Sequence, residues 1–195
     1  VFGAPIDDPK HPILCCKTAL DMMDELKKLQ KKWTEEGRPV LDIGIGINTG
    51  DMVVGNMGSQ MRFDYTVMGD NVNLGSRLEG INKEYGTNIV VSEFTHERIK
   101  DVFFCRELDA VRVKGKILPV RIFELVGGPE KADEWKEFIA HYNDGLQSYR
   151  DGKWDDAIRN FEAALKLRPE DYPSNMYVER CSNLKENPPE GSWDG

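Results

Sequence analysis

Two polar side chains in the stretch GDNVNLGSRLEG, residues 69–80, are of types that could do chemistry together. Asn73 and Arg77 stand four residues apart in a segment whose apolar positions recur at helical spacing, so one helix face would present both. An arginine offers a fixed fork of donors and a permanent charge to an anion, and an asparagine can donate and accept hydrogen bonds. Taken alone, the pair could equally be an ordinary surface arginine beside a caplike asparagine.

The composition restricts what such a pair could bind. The chain has 195 residues and a net charge of -8, with 39% hydrophobic and 31% charged residues, values typical of a globular protein. This acidic balance argues against general nucleic-acid binding, but it permits binding of one nucleotide in a locally positive pocket. No apolar run approaches the roughly 20 residues that cross a bilayer, and no signal peptide is visible. We therefore expect a cytoplasmic segment without membrane contact.

The cysteines do not form a recognisable metal or disulfide pattern. Cys15 and Cys16 are adjacent, Cys105 and Cys181 are isolated, and the chain contains three histidines. Neither a CxxC pair nor a zinc-ligand spacing occurs, which favours buried structural thiols in a reducing compartment.

The elements that must position the polar pair follow from hydrophobic periodicity. We predict an amphipathic helix from Pro12 to about Glu36, ended by Gly37 and Pro39, and a helix over residues 69–85 with Asp70 as its cap. The apolar stripe of the first helix comprises Leu14, Ala19, Met22, Met23, Leu26, Leu29 and Trp33. Strands are predicted over residues 40–47, 52–58, 62–69, 88–92 and 102–108.

Two further elements complete the predicted first domain. Residues 92–99 predict a short helix capped by Ser92, and residues 111–126 predict a β-hairpin turning near Gly115 and Lys116. This mixture indicates an α/β sandwich with a largely antiparallel sheet.

The pattern becomes helical after GGPE at Gly127–Glu130. The segment GLQSYRDGKWDDAIRNFEAALKLRP, residues 145–169, resembles one tetratricopeptide helix-turn-helix unit, with small residues where the helices would cross closely. One such unit cannot bury its own apolar face, so we expect it to pack on the first domain or on a partner. One more helix is predicted from Pro173.

Three ordered blocks together resemble the class III adenylate/guanylate cyclase catalytic domain. They are IGIGINTGDMVVGNMGS, RFDYTVMGDNVNLGSRLEGI and VKGK, and with VFGAP at the start the resemblance covers residues 1–126. It implies a ferredoxin-like α/β cyclase domain at residues 1–127, followed by a tetratricopeptide-like helical hairpin extension at residues 128–195.

The resemblance implies a reaction and a role for four residues. In this family the 3′-hydroxyl of a nucleoside triphosphate attacks the α-phosphorus, giving a cyclic 3′,5′-monophosphate and pyrophosphate. Arg77 would stabilise the charge at the α-phosphate and Asn73 would hold the ribose. Thr66 would contact the base, with ATP favoured over GTP, and Lys114 would reach the triphosphate. Lys116 competes with Lys114, and Asp64, although on the strand face of Thr66, is not assigned the base-reading role.

The resemblance also implies Mg²⁺ or Mn²⁺ held by two aspartates. The family has them in its first strand and in a GD motif just before FGAP, and this chain begins at VFGAP. We therefore expect the metal ligands upstream of this chain, a domain that lacks its first strands, and a site composed by two protomers of a homodimer. Asp7 and Asp8 are interpreted as turn formers.

Two interpretations remain at this point. One is a nucleotide cyclase in cyclic-nucleotide signalling, and the other is a catalytically inactive nucleotide-binding or regulatory module that acts through its helical tail. The glycines at positions 44, 46, 50, 55 and 58 fit no phosphate-loop spacing and predict close packing instead.

Overall fold

The computed structural model describes residues 1–59, 62–112, 119–189, 191 and 193. Helices and strands alternate through the first part, and helices alone form the last part. Their order is α1 (His11–Glu35), β1 (Ile45–Ile47), β2 (Val53–Ser59), β3 (Arg62–Met68), α2 (Asp70–Tyr85), β4 (Ile89–Ser92), α3 (Glu93–Ile99), β5 (Phe104–Val111), β6 (Val120–Gly127), α4 (Glu130–Arg150), α5 (Trp154–Leu167) and α6 (Tyr172–Glu186).

The central sheet has the strand order β1-β4-β6-β5. The β1–β4 pair is parallel, and the β4–β6 and β5–β6 pairs are antiparallel. Strands β2 and β3 form a separate antiparallel hairpin in which Gly55 faces Thr66. The α/β class and the largely antiparallel sheet are therefore confirmed.

The two faces of the sheet bury different cores, as alternation along a strand requires. On one face, Val90 of β4 and Ile122 of β6 pack with Leu74 and Leu78 of α2. On the other face the apolar residues of α1 and α3 cover the same strands, with a core made of Cys16, Ala19, Met23, Leu26, Ile47, Ile89, Val91, Ile99, Phe123 and Leu125. Helix α2 is thus fixed to the sheet through its apolar side.

The first predicted strand is shorter in the structure, and the first helix buries a narrower stripe. Only Ile45–Ile47 of the predicted range 40–47 forms a strand, because the Leu41 carbonyl accepts from the side-chain amide of Gln30 at 2.8 Å rather than from a neighbouring strand. On α1, three of the predicted core positions are exposed, and Cys16 is buried in their place. Those exposed residues are Leu14, Met22 and Leu29.

The helical extension has its own aromatic core. The crossing of α4 and α5 is close because a Cβ atom on Gly145 would lie 3.0 Å from the Phe161 ring. Phe161 stacks on Tyr177 of α6, with the ring centroids 4.9 Å apart and the planes 5° from parallel. The predicted small-residue crossing is therefore present, while the tetratricopeptide assignment stays a prediction.

The extension packs on the sheet through β5. Four consecutive residues of that strand form hydrogen bonds or ion pairs with α4, with α6 or with the turn between α5 and α6. The pairs are Arg106 with Asp171 at 2.6 Å, Glu107 with Arg150 at 2.6 Å, the Leu108 carbonyl with the Tyr177 hydroxyl at 2.7 Å, and Asp109 with Arg180 at 3.0 Å. This contact confirms the first of the two alternatives expected for the tail.

The cysteines and the membrane prediction can be compared with the structure directly. Cys16 and Cys181 are buried, whereas Cys15 and Cys105 are half-buried. Burial raises the pKa of Cys105 to about 12 and that of Cys181 to about 11, so both thiols stay protonated at neutral pH. No helix among the described ranges combines the length and the apolar character that crossing a bilayer requires.

Candidate active site

The site is built on α2, and the start of that helix differs from the prediction. Gly69, with φ of 139°, is the N-cap residue, and its carbonyl accepts from the amides of Val72 and Asn73 at 3.1 Å. A φ in this region favours glycine, so the backbone at Gly69 sets the turn into the helix. The prediction of Asp70 as the cap is wrong: Asp70 is the first helical residue, where its charge favours the helix dipole.

Helix α2 lies unusually close to strand β1. A Cβ atom on Gly46 would approach the backbone of Gly75, Leu78 and Glu79 to under 3.0 Å. The predicted close packing is therefore confirmed at Gly46, and the helix backbone rests directly on the strand backbone.

Hydrogen bonds between side chains and backbone fix the amino-terminal end of α2. The Asn48 amide donates to the Asn71 carbonyl at 2.9 Å, and the Asn71 amide donates to the Asp51 carbonyl at 2.9 Å. The Ser92 hydroxyl in turn donates to Asn48 Oδ1 at 2.6 Å. The loop after β1 and the first turn of α2 are therefore held as one unit.

A buried asparagine fixes the other end of the helix. Asn82 is 3% exposed, and its amide donates to the Ile45 carbonyl of β1 at 3.1 Å. Its Oδ1 atom accepts from the Thr87 hydroxyl at 3.1 Å. Because a buried amide is costly unless its partners are in place, Asn82 specifies one position of α2 on the sheet.

The two predicted catalytic residues lie on the outer face of this fixed helix. Asn73 and Arg77 are both exposed, whereas Leu74 and Leu78, one position after each, are buried. The structure therefore brings Asn73 and Arg77 to one exposed face, about one turn or 6 Å apart along the axis. A rigid base with outward polar groups suits binding of a hydroxylated anion.

The two predicted substrate-binding residues have different outcomes. Thr66 is exposed on β3, the strand that leads through Gly69 into α2 and contacts that helix. Asp64 is exposed two positions earlier on β3, and it has interactions within the described structure. Lys114 and its competitor Lys116 lie outside the described residues, as does the predicted turn of their hairpin.

A cavity among the described residues lies beside α2. It has a volume of about 560 Å³ and is lined by the first residues of the chain, the loop after β1, and residues of α2 that include Val72 and Gly75. Neither Asn73, Arg77 nor Thr66 lines it. The exposed face and the cavity are therefore two separate features.

The described residues do not assemble a metal centre. No group of three or more histidine, cysteine, aspartate or glutamate side chains within those ranges could hold an ion. The described residues do not by themselves fit the family's metal.

Sequence reasoning missed the residues that position α2. Asn48, Asn71 and Asn82 carry no motif of their own, since their roles depend on the crossing of β1 and α2. The available signal was Asn48 directly after an alternating strand, where a side-chain amide often replaces a backbone partner.

Comparisons with known proteins agree with this architecture. Residues 1–130 match the Adenylate and Guanylate cyclase catalytic domain family. The chain is 36% identical over 152 residues to the "Adenylate cyclase, terminal-differentiation specific" of Dictyostelium discoideum, covering 74% of this chain but 7% of that protein.

Two solved structures are similar in sequence and in fold. The adenylyl cyclase CyaB from P. aeruginosa is 35% identical with a TM-score of 0.59, and 65% of each chain is covered. The guanylyl cyclase Cya2 is 35% identical with a TM-score of 0.56, covering 66% of this chain and 64% of that one. The present chain thus belongs to the adenylate and guanylate cyclase catalytic domain family.

Proposed function

We propose that this chain supplies the asparagine and arginine half of a composite site that cyclises a nucleoside triphosphate, ATP in preference to GTP. The observation that carries the proposal is the outward placement of Asn73 and Arg77 on a helix whose other side is bonded to the sheet. Two protomers would face each other across this surface. The products are the 3′,5′-cyclic monophosphate and pyrophosphate.

The chemistry assigns one task to each residue. The ribose 3′-oxygen forms a bond to the α-phosphorus while the bond from that phosphorus to the pyrophosphate oxygen breaks, and the hydroxyl proton is released. Negative charge grows on the α-phosphate oxygens, where the Arg77 guanidinium would donate hydrogen bonds. The Asn73 amide would hold the ribose so that the hydroxyl is aligned with the leaving oxygen.

Thr66 is proposed to contact the base, and Lys114 the triphosphate. The Thr66 hydroxyl can offer one neutral hydrogen bond, which gives weak discrimination between adenine and guanine. ATP is the preferred substrate in this proposal, and relatives named as adenylate and as guanylyl cyclases both occur. Mg²⁺ or Mn²⁺ is the cofactor proposed from the family.

The test is complementation in a heterodimer. This chain is mixed with a protomer of a related cyclase that retains its metal-binding aspartates but lacks its own asparagine and arginine. Product is then measured from ATP and from GTP with Mn²⁺. We expect the mixture to form product. Arg77→Ala should lower the rate of product formation by at least about a hundredfold, which is the usual effect of removing one hydrogen-bond donor to the transition state. Lys83→Ala, an exposed cation on the same helix, is the matched control and should keep the product level.

Two further substitutions test the substrate contacts. Thr66→Val keeps the side-chain volume and removes the hydroxyl, so kcat/KM for ATP should fall by about tenfold at most. Lys114→Ala should raise KM for the triphosphate more than Lys116→Ala does. If the heterodimer forms but yields no cyclic nucleotide, the enzymatic proposal is wrong and the regulatory-module alternative takes its place.

A further inference from the structure

Helix α6 of the extension lies against the carboxyl-terminal end of α2. Gly86 ends α2 in the left-handed region, with φ of 60°, and a Cβ atom there would lie 2.8 Å from Tyr172 Cβ. Met176, one turn further along α6, packs against the cluster that contains Leu74 and Leu78. The extension therefore touches the helix that carries Asn73 and Arg77.

A single carboxylate joins three elements at this junction. Asp109 Oδ2 accepts a 2.5 Å hydrogen bond from the Tyr85 hydroxyl of α2 and a 3.0 Å ion-pair bond from Arg180 of α6. The Arg180 guanidinium also lies 5.5 Å from the centre of the Tyr85 ring and 5.4 Å from that of Tyr177. Tyr85 is 2% exposed, so its hydrogen bond to Asp109 is shielded from water, whereas the Arg180 side chain is 36% exposed.

The same carboxylate also links α2 to strand β5. Asp109 belongs to β5, which ends at Val111, and the segment with Lys114 follows directly. Tyr85 lies eight residues after Arg77 on α2, a separation of about 12 Å along the helix axis. A shift at Asp109 would thus act on the helix that carries Arg77.

We propose that Arg180 is a positioning residue for the cyclase reaction, acting through Asp109 and Tyr85 to set α2 relative to β5. This inference rests on the function proposed above. Without the guanidinium, the Asp109 carboxylate loses its cation and α6 loses its polar link to α2. The position of the Arg77 helix relative to β5 is then less restrained, and alignment at the α-phosphorus suffers.

The pairing also gives the extension a route to the active site. A movement of α6 would displace Arg180 from Asp109. No substrate contact of the extension itself is needed for such an effect, because the coupling runs through packed and charged groups.

The experiment compares Arg180→Ala with Arg180→Lys in the heterodimer assay, with Arg159→Ala as control. Arg159 lies on α5 of the same extension and pairs with its own-helix neighbour Asp156. We expect Arg180→Ala to lower kcat by about tenfold, because a small misalignment of the reacting atoms slows the reaction by about this factor. The change in KM should be smaller. Arg180→Lys should restore part of kcat because it restores the charge, and Arg159→Ala should match the parent.

A second readout needs no activity. Hydrogen–deuterium exchange of the full chain should show faster exchange, by about tenfold, in residues 78–86 and 106–111 of Arg180→Ala, with residues 130–167 unchanged. Should Arg180→Ala fail to fold, Tyr85→Phe removes one hydroxyl and should give the same local pattern.

The two proposals fail in different ways. Absence of product from every mixture, with the local exchange pattern present, contradicts the proposed function but supports the structural link from Arg180 to α2 and β5. Unchanged exchange in residues 78–86, or a uniform rise over the whole chain, overturns the positioning role. An equal kcat for Arg180→Ala and the parent overturns it as well.

Discussion

A Cβ atom on Gly46 would lie 2.7 Å from the carbonyl carbon of Leu78, so strand β1 and helix α2 are in direct backbone contact. Carbon atoms cannot approach each other this closely without displacement of one element. The site helix therefore takes its height above the sheet from a residue that has no side chain.

Gly46→Ala should destabilise the fold by about 1–3 kcal/mol, the usual cost of overpacking, because β1 or α2 must move. Gly80→Ala is the matched control, since nothing lies within 4 Å of a Cβ atom there. That substitution should stabilise the helix by about 0.5–1 kcal/mol. Urea unfolding of both variants measures the difference, and equal stabilities would contradict the close contact.

Asn82→Ala should cost about 1–3 kcal/mol of unfolding free energy because the Ile45 carbonyl and the Thr87 hydroxyl lose their buried partner. The control is Asn73→Ala, an asparagine on the exposed face of the same helix, whose stability should stay within about 0.5 kcal/mol. Denaturant titration of both variants is the measurement. The two variants should separate further in the complementation assay, where Asn73→Ala loses product. A large stability loss in Asn73→Ala would show that its exposed position has been misjudged.

Arg106→Leu should destabilise the chain by about 3–5 kcal/mol, because it leaves two acidic side chains in a nearly dry site. Arg106 is 2% exposed and bonds Glu124 at 2.5 Å and Asp171 at 2.6 Å. The exposed pair of Arg159 with Asp156 gives the comparison: Arg159→Ala should cost at most about 1 kcal/mol. Thermal and denaturant unfolding measure both, and a loss under 1 kcal/mol for Arg106→Leu would contradict the buried ion pair.

Stability should fall as the pH drops below the ordinary histidine pKa, in part because of His96. Burial lowers the pKa of His96, whose ring stacks on Phe123 with the centroids 4.0 Å apart. The unfolded chain then binds a proton at a higher pH than the folded chain, so this stability is present above the unfolded pKa of about 6.5 and is lost as pH falls through the folded value. Smaller effects come from the charges of Glu97 and Glu107, which raise the pKa, and of Arg121 and Lys100, which lower it.

Urea unfolding at pH 7.5 and at pH 5.5 tests this effect. The loss of stability between the two should be smaller in His96→Gln than in the parent chain. An identical loss in both proteins would remove His96 from the explanation.

The sequence predicted the elements better than their ends. Helical periodicity predicted α2 correctly, but the stripe that this helix buries is Leu74, Leu78, Asn82 and Tyr85, of which only Leu78 belongs to the predicted series Val72, Gly75, Leu78 and Ile81. Its first residue was predicted incorrectly, since the backbone of Gly69 rather than the Asp70 side chain determines the turn. Likewise, Val40 and Leu41 begin the stretch 40–47 that was predicted as a strand, but in the structure they pair with no strand and are exposed.

The exposed polar pair was predictable because both its residues lie on one helix. Asn73 and Arg77 needed only helical spacing, whereas Arg106 needed partners 18 and 65 residues away along the chain. The sequence assigned no partner to the charged residues of β5. Their true partners depend on how α4 and α6 pack, which a local pattern does not contain.

The four residues of β5 that bond the helical extension restrict which extensions could follow this catalytic domain. A chimera that joins this catalytic sheet to a different helical extension would keep Arg106, Glu107 and Asp109 but lose one charged partner of each, namely Asp171, Arg150 and Arg180. We therefore expect an exchange at the junction near Gly127 to cost stability unless β5 and the helices change together. In this chain the boundary between the two parts in sequence is not a boundary in their interactions.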